Sequence, residues 1–180
     1  MDIKINAPYI TFRGRNNSYS YGFTKNKDIF MFDTDDIELV QQHKWCKNYA
    51  TNCIQSTCHN KTIYLHRLVM GQNETISGKH VDHINHNRTD NRKSNLRVCG
   101  VQENHYNQPK RKSNTSGIIG VSFNKHRKVF YAKIGVNGEK IFLGTFRNID
   151  DAIKARLTAE KKYYGEFAPQ KDLFKKYEIA

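Results

Sequence analysis

The sequence predicts an α+β chain of two successive domains, and three observations carry that expectation. A strand–loop–strand–helix pattern spans residues 79–107, with a polar, turn-rich loop between two short apolar segments. The stretch Gln108-Pro109-Lys110-Arg111-Lys112-Ser113-Asn114-Thr115-Ser116 then offers no apolar side chain and reads as a linker. Beyond it the periodicity changes to three alternating strands and one amphipathic helix. The expected organisation is an N-terminal domain over 1–108 with its central motif at 66–107, a basic linker at 109–116, a three-strand-plus-helix domain at 117–168 and a tail at 169–180.

Composition narrows the function. Thirty Lys and Arg against seventeen Asp and Glu leave a net charge of +13 on 180 residues. A surplus of that size favours a polyanionic partner, and double-stranded DNA is the first expectation. Mean hydropathy is −0.79, and no apolar run approaches the roughly 20 residues of a spanning helix. Met1-Asp2-Ile3-Lys4 lacks an apolar signal core, so a cytoplasmic, nucleic-acid-associated protein without a membrane role is expected. The four cysteines form no Cys-x-x-Cys pair, and an intracellular setting disfavours disulfides.

Residues 1–30 read as one or two strands joined by a loop at Gly14 to Ser18. Asp33-Thr34-Asp35-Asp36 opens a short helical run through Val40, with acidic residues at the positive helix end. Trp45-Cys46 and Tyr49-Ala50-Thr51 look like a strand, Gln55 to Lys61 a turn, and Thr62 to Leu65 the returning strand. His66 to Met70 forms a short helix ended by Gly71. Lys79 to Ile84 and Leu96 to Cys99 are the two strands of the central motif, and Val101 to Asn107 begins a helix with Gly100 at its N-cap.

The central motif has the parts of a phosphodiesterase. Hydrolysis needs an activated water, neutralised phosphate charge and help for the departing oxygen. A hard cation such as Mg2+ (or Mn2+) takes oxygen ligands and keeps several waters. Asp82 offers a carboxylate and Asn104 a side-chain carbonyl. His83, as a neutral imidazole, can accept the proton of the attacking water near pH 7. Asn95 lies across the hairpin, placed to hold the bent loop through backbone hydrogen bonds. Taken singly, each would pass for a turn residue. His86 and His105 read as solvated histidines, and Arg97 and Asn107 as possible supporting residues. For His66, packing behind the site and a phosphate contact both stay open.

Residues 66–107 resemble the HNH endonucleases of phage and intron-homing type. The matching blocks are His66-Arg67-Leu68-Val69, Val81-Asp82-His83-Ile84-Asn85, Asp90-Asn91-Arg92, Asn95-Leu96-Arg97 and Glu103-Asn104, in that order. The resemblance implies a ββα-metal core, with His83 as general base, Asp82 and Asn104 as metal ligands, and Asn95 as the structural member of the catalytic set. The chain departs from the pattern at Gly100, where Thr or Ser is common. Cys46, Cys53, Cys58 and Cys99, even with His43 or His59, fit no standard zinc template, so structural zinc is the less favoured reading.

In the second domain, Val121 to Asn124, Val129 to Ile134 and Lys140 to Phe146 read as strands, the last two joined by Asn137-Gly138, a tight-hairpin signal. Asp150 to Tyr164 is the amphipathic helix. Alternation puts Phe130, Ala132 and Ile134 on one face, with Val121, Phe123, Ile141 and Leu143 beside them under the helix. Ser122, Asn124, Tyr131, Lys133, Lys140 and Phe142 occupy the other face, which is basic, polar and partly aromatic. Such a face suits a major groove, where amides and cations meet base edges and phosphates. The blocks Gly120-Val121, Ala132-Lys133-Ile134, Leu143-Gly144-Thr145-Phe146, Asp151-Ala152 and Tyr163-Tyr164-Gly165 resemble the AP2-type DNA-binding domain of plant ethylene-response factors. Ser122, Asn124 and Phe142 stand where that family carries Arg and Trp, so its target sequence does not carry over.

The reading is therefore a metal-dependent, site-specific DNA endonuclease of the homing type, its oligomeric state open and a monomer favoured, with Lys110, Arg111 and Lys112 tracking backbone phosphates. The alternatives are a DNA-binding regulator with an inactive nuclease core, a restriction-type enzyme of the same chemistry, and a zinc protein acting on RNA.

Overall fold

The computed structural model describes residues 2–6, 9–13, 18–71, 78–108, 110 and 114–179. It divides into two compact units, 1–100 and 101–180.

The first unit opens with a four-stranded antiparallel meander: β1 (Asp2–Asn6), β2 (Tyr9–Arg13), β3 (Ser18–Phe23) and β4 (Ile29–Asp33), hydrogen-bonded in that order. Four strands replace the one or two expected, because each is only five or six residues long and the alternating runs merge when read as sequence. The alternation of β4 buries Phe30 and Phe32, while Ile29 points to solvent. On the same inward face Thr11, Ser20 and Thr34 share a chain of hydroxyl hydrogen bonds.

A 3-10 turn at Thr34–Asp36 leads into α1 (Ile37–Val40). The Trp45 indole N–H donates to the Val40 carbonyl at 2.8 Å, closing this segment against the core. A three-stranded sheet follows: β5 (Cys46–Lys47), β6 (Ile54–Cys58) and β7 (Lys61–Tyr64). Tyr49-Ala50-Thr51 is not a strand. The Asn48 carboxamide oxygen accepts from the N–H groups of Ala50 and Thr51, and this side-chain competitor bends the backbone into a turn. The strand falls instead at Ile54–Cys58, and the turn shrinks to His59-Asn60, both at positive φ. The helix α2 (Leu65–Val69) ends where Gly71, at φ +66°, returns its N–H to the Leu68 carbonyl.

The strands β8 (Lys79–His83) and β9 (Leu96–Gly100) form a two-stranded antiparallel pair in which Asp82 faces Arg97 and His83 faces Leu96. The core of this unit gathers Tyr9, Phe30, Phe32, Val40, Trp45, Ile54, Leu65, Leu68, Val69 and Leu96. Every strand group and α2 contributes to it, so the segment before the central motif is part of the same core.

The second unit begins with α3 (Val101–Tyr106) and continues with β10 (Val121–Asn124), β11 (Val129–Val136) and β12 (Glu139–Phe146), an antiparallel sheet in that order. Asn137 and Gly138 both take positive φ, as a two-residue type I′ turn requires. The helix α4 (Ile149–Tyr164) packs chiefly on β11 and β12. Asn148 caps it by accepting from the Asp150 N–H at 2.9 Å. Val121, Ala132, Ala152, Ile153 and Leu157 form the core, joined by Leu173, Phe174, Tyr177 and Ile179 from the tail that carried no expectation. Phe123 was expected beneath the helix and is 46% exposed, because it lies on an edge strand, β10, that α4 covers less than β11 and β12. Among the described residues no helix is long and apolar enough to cross a membrane.

Candidate active site

The site is built on the loop between β8 and β9. A loop of this length, rich in Asn and Asp, has many backbone N–H and C=O groups without ladder partners, and side-chain amides supply them. Asn95 does most of this. Its Oδ1 accepts from the Asn85 N–H at 3.0 Å and its Nδ2 donates to the Asp90 carbonyl at 2.8 Å. Its backbone carbonyl accepts from the Ile84 N–H. Asn87 caps its own turn by accepting from the Thr89 N–H and hydroxyl, and His86 takes φ +61° where the chain reverses.

Asp90 is the buried anchor of the loop, at 1% exposure. Arg92 meets it with two charge-assisted bonds of 2.8 Å, and Asn85 Nδ2 adds a third contact at 3.1 Å. Burial raises the Asp90 pKa, but the Arg92 bonds and charge outweigh it and hold the carboxyl below its usual range. The N-terminal sheet braces the same turn. The Met31 N–H donates to the Thr89 carbonyl and the Met31 carbonyl accepts from the Asn91 N–H, both at 2.8 Å. Asp33 accepts the Lys93 N–H at 2.7 Å, and Asp36 pairs with the Lys93 ammonium at 2.6 Å. From the other side, Arg88 donates to the Thr51 carbonyl at 2.8 Å.

His83 is 6% exposed and its Nε2 lies 3.2 Å from Asn91 Oδ1. A carboxamide oxygen only accepts, so this contact sets the Nε2–H tautomer and puts the ring's lone pair on Nδ1. Burial lowers the His83 pKa and the Arg88 charge adds to that, against the opposing pull of the Asn91 bond, Asp82 and Asp90. The His66 ring packs edge-on against it, with centroids 5.0 Å apart. His66 is itself buried, and its Nδ1 has no partner among the described residues. Burial, then the charges of His83, Arg67 and Arg88, bring its pKa down to about 3.

Asp82 is 8% exposed and forms an ion pair with Arg97, whose Nε and Nη2 reach Asp82 Oδ2 at 3.0 and 2.8 Å. Among the described residues no three His, Cys, Asp or Glu side chains gather in a metal-binding cluster. Asp82 is a hard oxygen donor of the kind Mg2+ and Mn2+ prefer, so its chemistry fits such a cation. None of the four cysteines forms a disulfide.

Residues 64–106 match the family model described as HNH endonuclease. Protein 3.8 of Escherichia phage T7 is 30% identical over 93 residues, covering 51% of this chain and 74% of that protein. An uncharacterized HNH endonuclease, L560, of Acanthamoeba polyphaga mimivirus is 26% identical over 148 residues, covering 80% of this chain and 75% of the relative. The chain belongs to the HNH endonuclease family. No solved structure matches it.

Within the HNH stretch the structure brings together His83, Asp82, Asn95, Arg97 and His66 in the first unit. Asn104 lies on α3 in the second unit, and the buried Asn107 follows the end of that helix. Two partners had no role in the sequence reading, Asn91 against His83 and Asp90 at the centre of the loop; Arg97, expected as a possible supporting residue, is the counter-charge of Asp82. Asp90-Asn91-Arg92 was visible as a matching block, but their roles depend on which loop atoms meet. On the outer sheet face Ser122, Lys133, Lys140 and Phe142 are exposed. Asn124 and Tyr131 are half-buried and bonded to each other at 3.2 Å, with Asn124 Oδ1 also accepting from the Arg127 N–H. Lys110 donates to the Gly117 carbonyl. Arg111 and Lys112 lie outside the described residues.

Proposed function

We propose that this HNH protein is a metal-dependent, site-specific DNA endonuclease of the homing type, and that its C-terminal sheet reads DNA in the AP2 manner. The carrying observation is the buried His83 imidazole, oriented by Asn91 and held in a loop clamped by Asn95 and Asp90. The His83 pKa is lowered by burial, so the ring is the neutral base that proton abstraction from water requires. Nδ1 takes that proton while the Nε2–H stays on Asn91. Asn91 therefore acts on the ring's orientation and tautomer rather than on substrate. His66, fixed as a neutral ring beside it, supports the imidazole without adding a second positive charge.

Asp82 would hold the divalent cation, with Asn104 named by the sequence as its companion. A cation there would neutralise phosphate charge and assist the departing oxygen. Arg97 keeps the Asp82 carboxylate directed and supplies a positive neighbour for the phosphodiester. The net charge of +13 draws DNA to the protein, and Ser122, Lys133, Lys140 and Phe142 offer the exposed sheet face for site selection.

The test is cleavage of duplex DNA with Mg2+, with chelator, and with His83→Ala. Metal-dependent cleavage by the wild type, lost in the variant while DNA binding persists, is the expected result. Binding without cleavage across many sites and metals would favour the regulator with an inactive core. A cognate methyltransferase encoded beside the chain would favour the restriction role over homing.

A further inference from the structure

The outer face of the β10–β12 sheet carries one side chain whose partner in DNA follows from its chemistry. Strand register fixes which residues share that face. Ser122 and Thr145 both pair with Tyr131, and Lys133 pairs with Phe142. A register shift between Ala132 and Lys133 lets Leu143 join the core while Phe142 and Thr145 both stay outside. By that register no Asp or Glu shares the face. Lys133, Lys140 and Ser122 on it are exposed. The β10–β11 turn adds the exposed Lys125, Arg127 and Lys128 at one end of the sheet. Among these cations and hydroxyls stands Phe142, at 60% exposure.

An exposed aromatic ring is common on protein surfaces, and exposure alone names no partner. This ring is held in place. The Tyr131 ring meets it edge-on, with centroids 5.9 Å apart and planes at 68°. Asn124 Nδ2 donates to the Tyr131 hydroxyl at 3.2 Å, and Asn124 Oδ1 accepts from the Arg127 N–H at 3.0 Å. Both ends of the Asn124 carboxamide are engaged within the sheet, so Asn124 and Tyr131 buttress Phe142. Base edges in the major groove present donors, acceptors and one kind of apolar group, the methyl on C5 of thymine. A fixed apolar ring on a basic face has that methyl as its complementary contact, while the neighbouring cations meet phosphates or guanine edges.

We propose that Phe142 is a specificity-determining residue that packs on a pyrimidine C5 methyl group in the major groove. This rests on the reading of the sheet as a DNA-binding face. Thymine is the expected source of the methyl, and 5-methylcytosine carries the same group. The full chain, kept in chelator so that nothing is cleaved, selects duplexes from a randomised library. The tightest duplex is then remade with uracil at each thymine in turn, and with 5-methylcytosine at each cytosine in turn. At one thymine or more, loss of the methyl should weaken wild-type binding about three- to fivefold, the size expected of one buried methyl group. Phe142→Ala should bind the thymine and uracil duplexes alike at that position. Lys133→Ala should weaken both duplexes and keep the wild-type ratio between them.

A gain on 5-methylcytosine that Phe142→Ala loses would identify the modified base as the source. Equal wild-type affinity for every uracil and 5-methylcytosine duplex would overturn the proposal and leave the DNA-binding reading standing. So would a methyl preference that survives in Phe142→Ala. Wild-type self-association in sedimentation, lost in Phe142→Ala, would overturn it by assigning the ring to a second copy of the chain. No binding to any duplex would overturn the DNA-binding reading itself, and this inference with it.

Discussion

At the scale of single residues, two groups behind His83 make separate demands. Asn91 is fully buried, and among the described residues its side chain makes a hydrogen bond to the His83 ring. Asn91→Ala should therefore leave DNA affinity intact and lower cleavage by roughly 10- to 100-fold, the usual cost of losing a group that orients a histidine. Single-turnover cleavage beside a binding isotherm checks this, and an unchanged cleavage rate would remove Asn91 from the mechanism. His66 bears on stability. It titrates near 6.5 in the unfolded chain and near 3 in the folded one. As pH falls below about 6.5 the unfolded state gains a proton that the folded state refuses. Stability present above that pH is lost on acidification, at up to about 1.4 kcal/mol per pH unit. Urea midpoints measured between about pH 7 and about pH 4 should fall more steeply for the wild type than for His66→Gln. Parallel slopes would mean that His66 is not held neutral.

At the scale of elements, legibility followed the range of the interactions that fix each one. The β11–β12 hairpin was readable because Asn137-Gly138 stores its turn in two adjacent residues. The β8–loop–β9 unit was readable from its apolar ends. The four-stranded meander was not, since its Tyr9, Phe30 and Phe32 are buried in a core shared with residues 40–69. The Asn48 turn was missed because a side chain outcompetes the alternating pattern. Phe123 was misplaced because alternation gives the face of a strand but not how far the helix extends over it. Gly120 carries the sharpest prediction at this scale. With φ +79° and backbone within 2.4 Å of a would-be Cβ, Gly120→Ala should destabilise the protein by about 2 kcal/mol or more. Thermal unfolding reads this directly, and an unchanged midpoint would show that β10 can shift to make room.

For the whole molecule, the net charge of +13 favours a DNA partner, and the number of phosphates its cations meet would set the response to salt. The logarithm of affinity should fall linearly with the logarithm of salt concentration. Lys140→Ala should flatten that line by about one unit if Lys140 meets a phosphate. A base-reading contact would change site preference and leave the slope alone. Asp82, His83 and Asn95 were singled out as residue types in order, and the structure gathers them on β8 and the loop before β9. Their supporting network was not legible, because it crosses about sixty positions, from Asp33 and Asp36 to Lys93. The two hydrogen bonds between Met31 and the Thr89–Asn91 turn have an evolutionary consequence. Residues 64–106 are what the family shares, yet they do not make a portable cassette. Recombination that moved this segment alone into a new host gene would deliver the loop between β8 and β9 without the strand that shapes it. Exchange between relatives should therefore have its breakpoints upstream of β4, inheriting sheet and loop together.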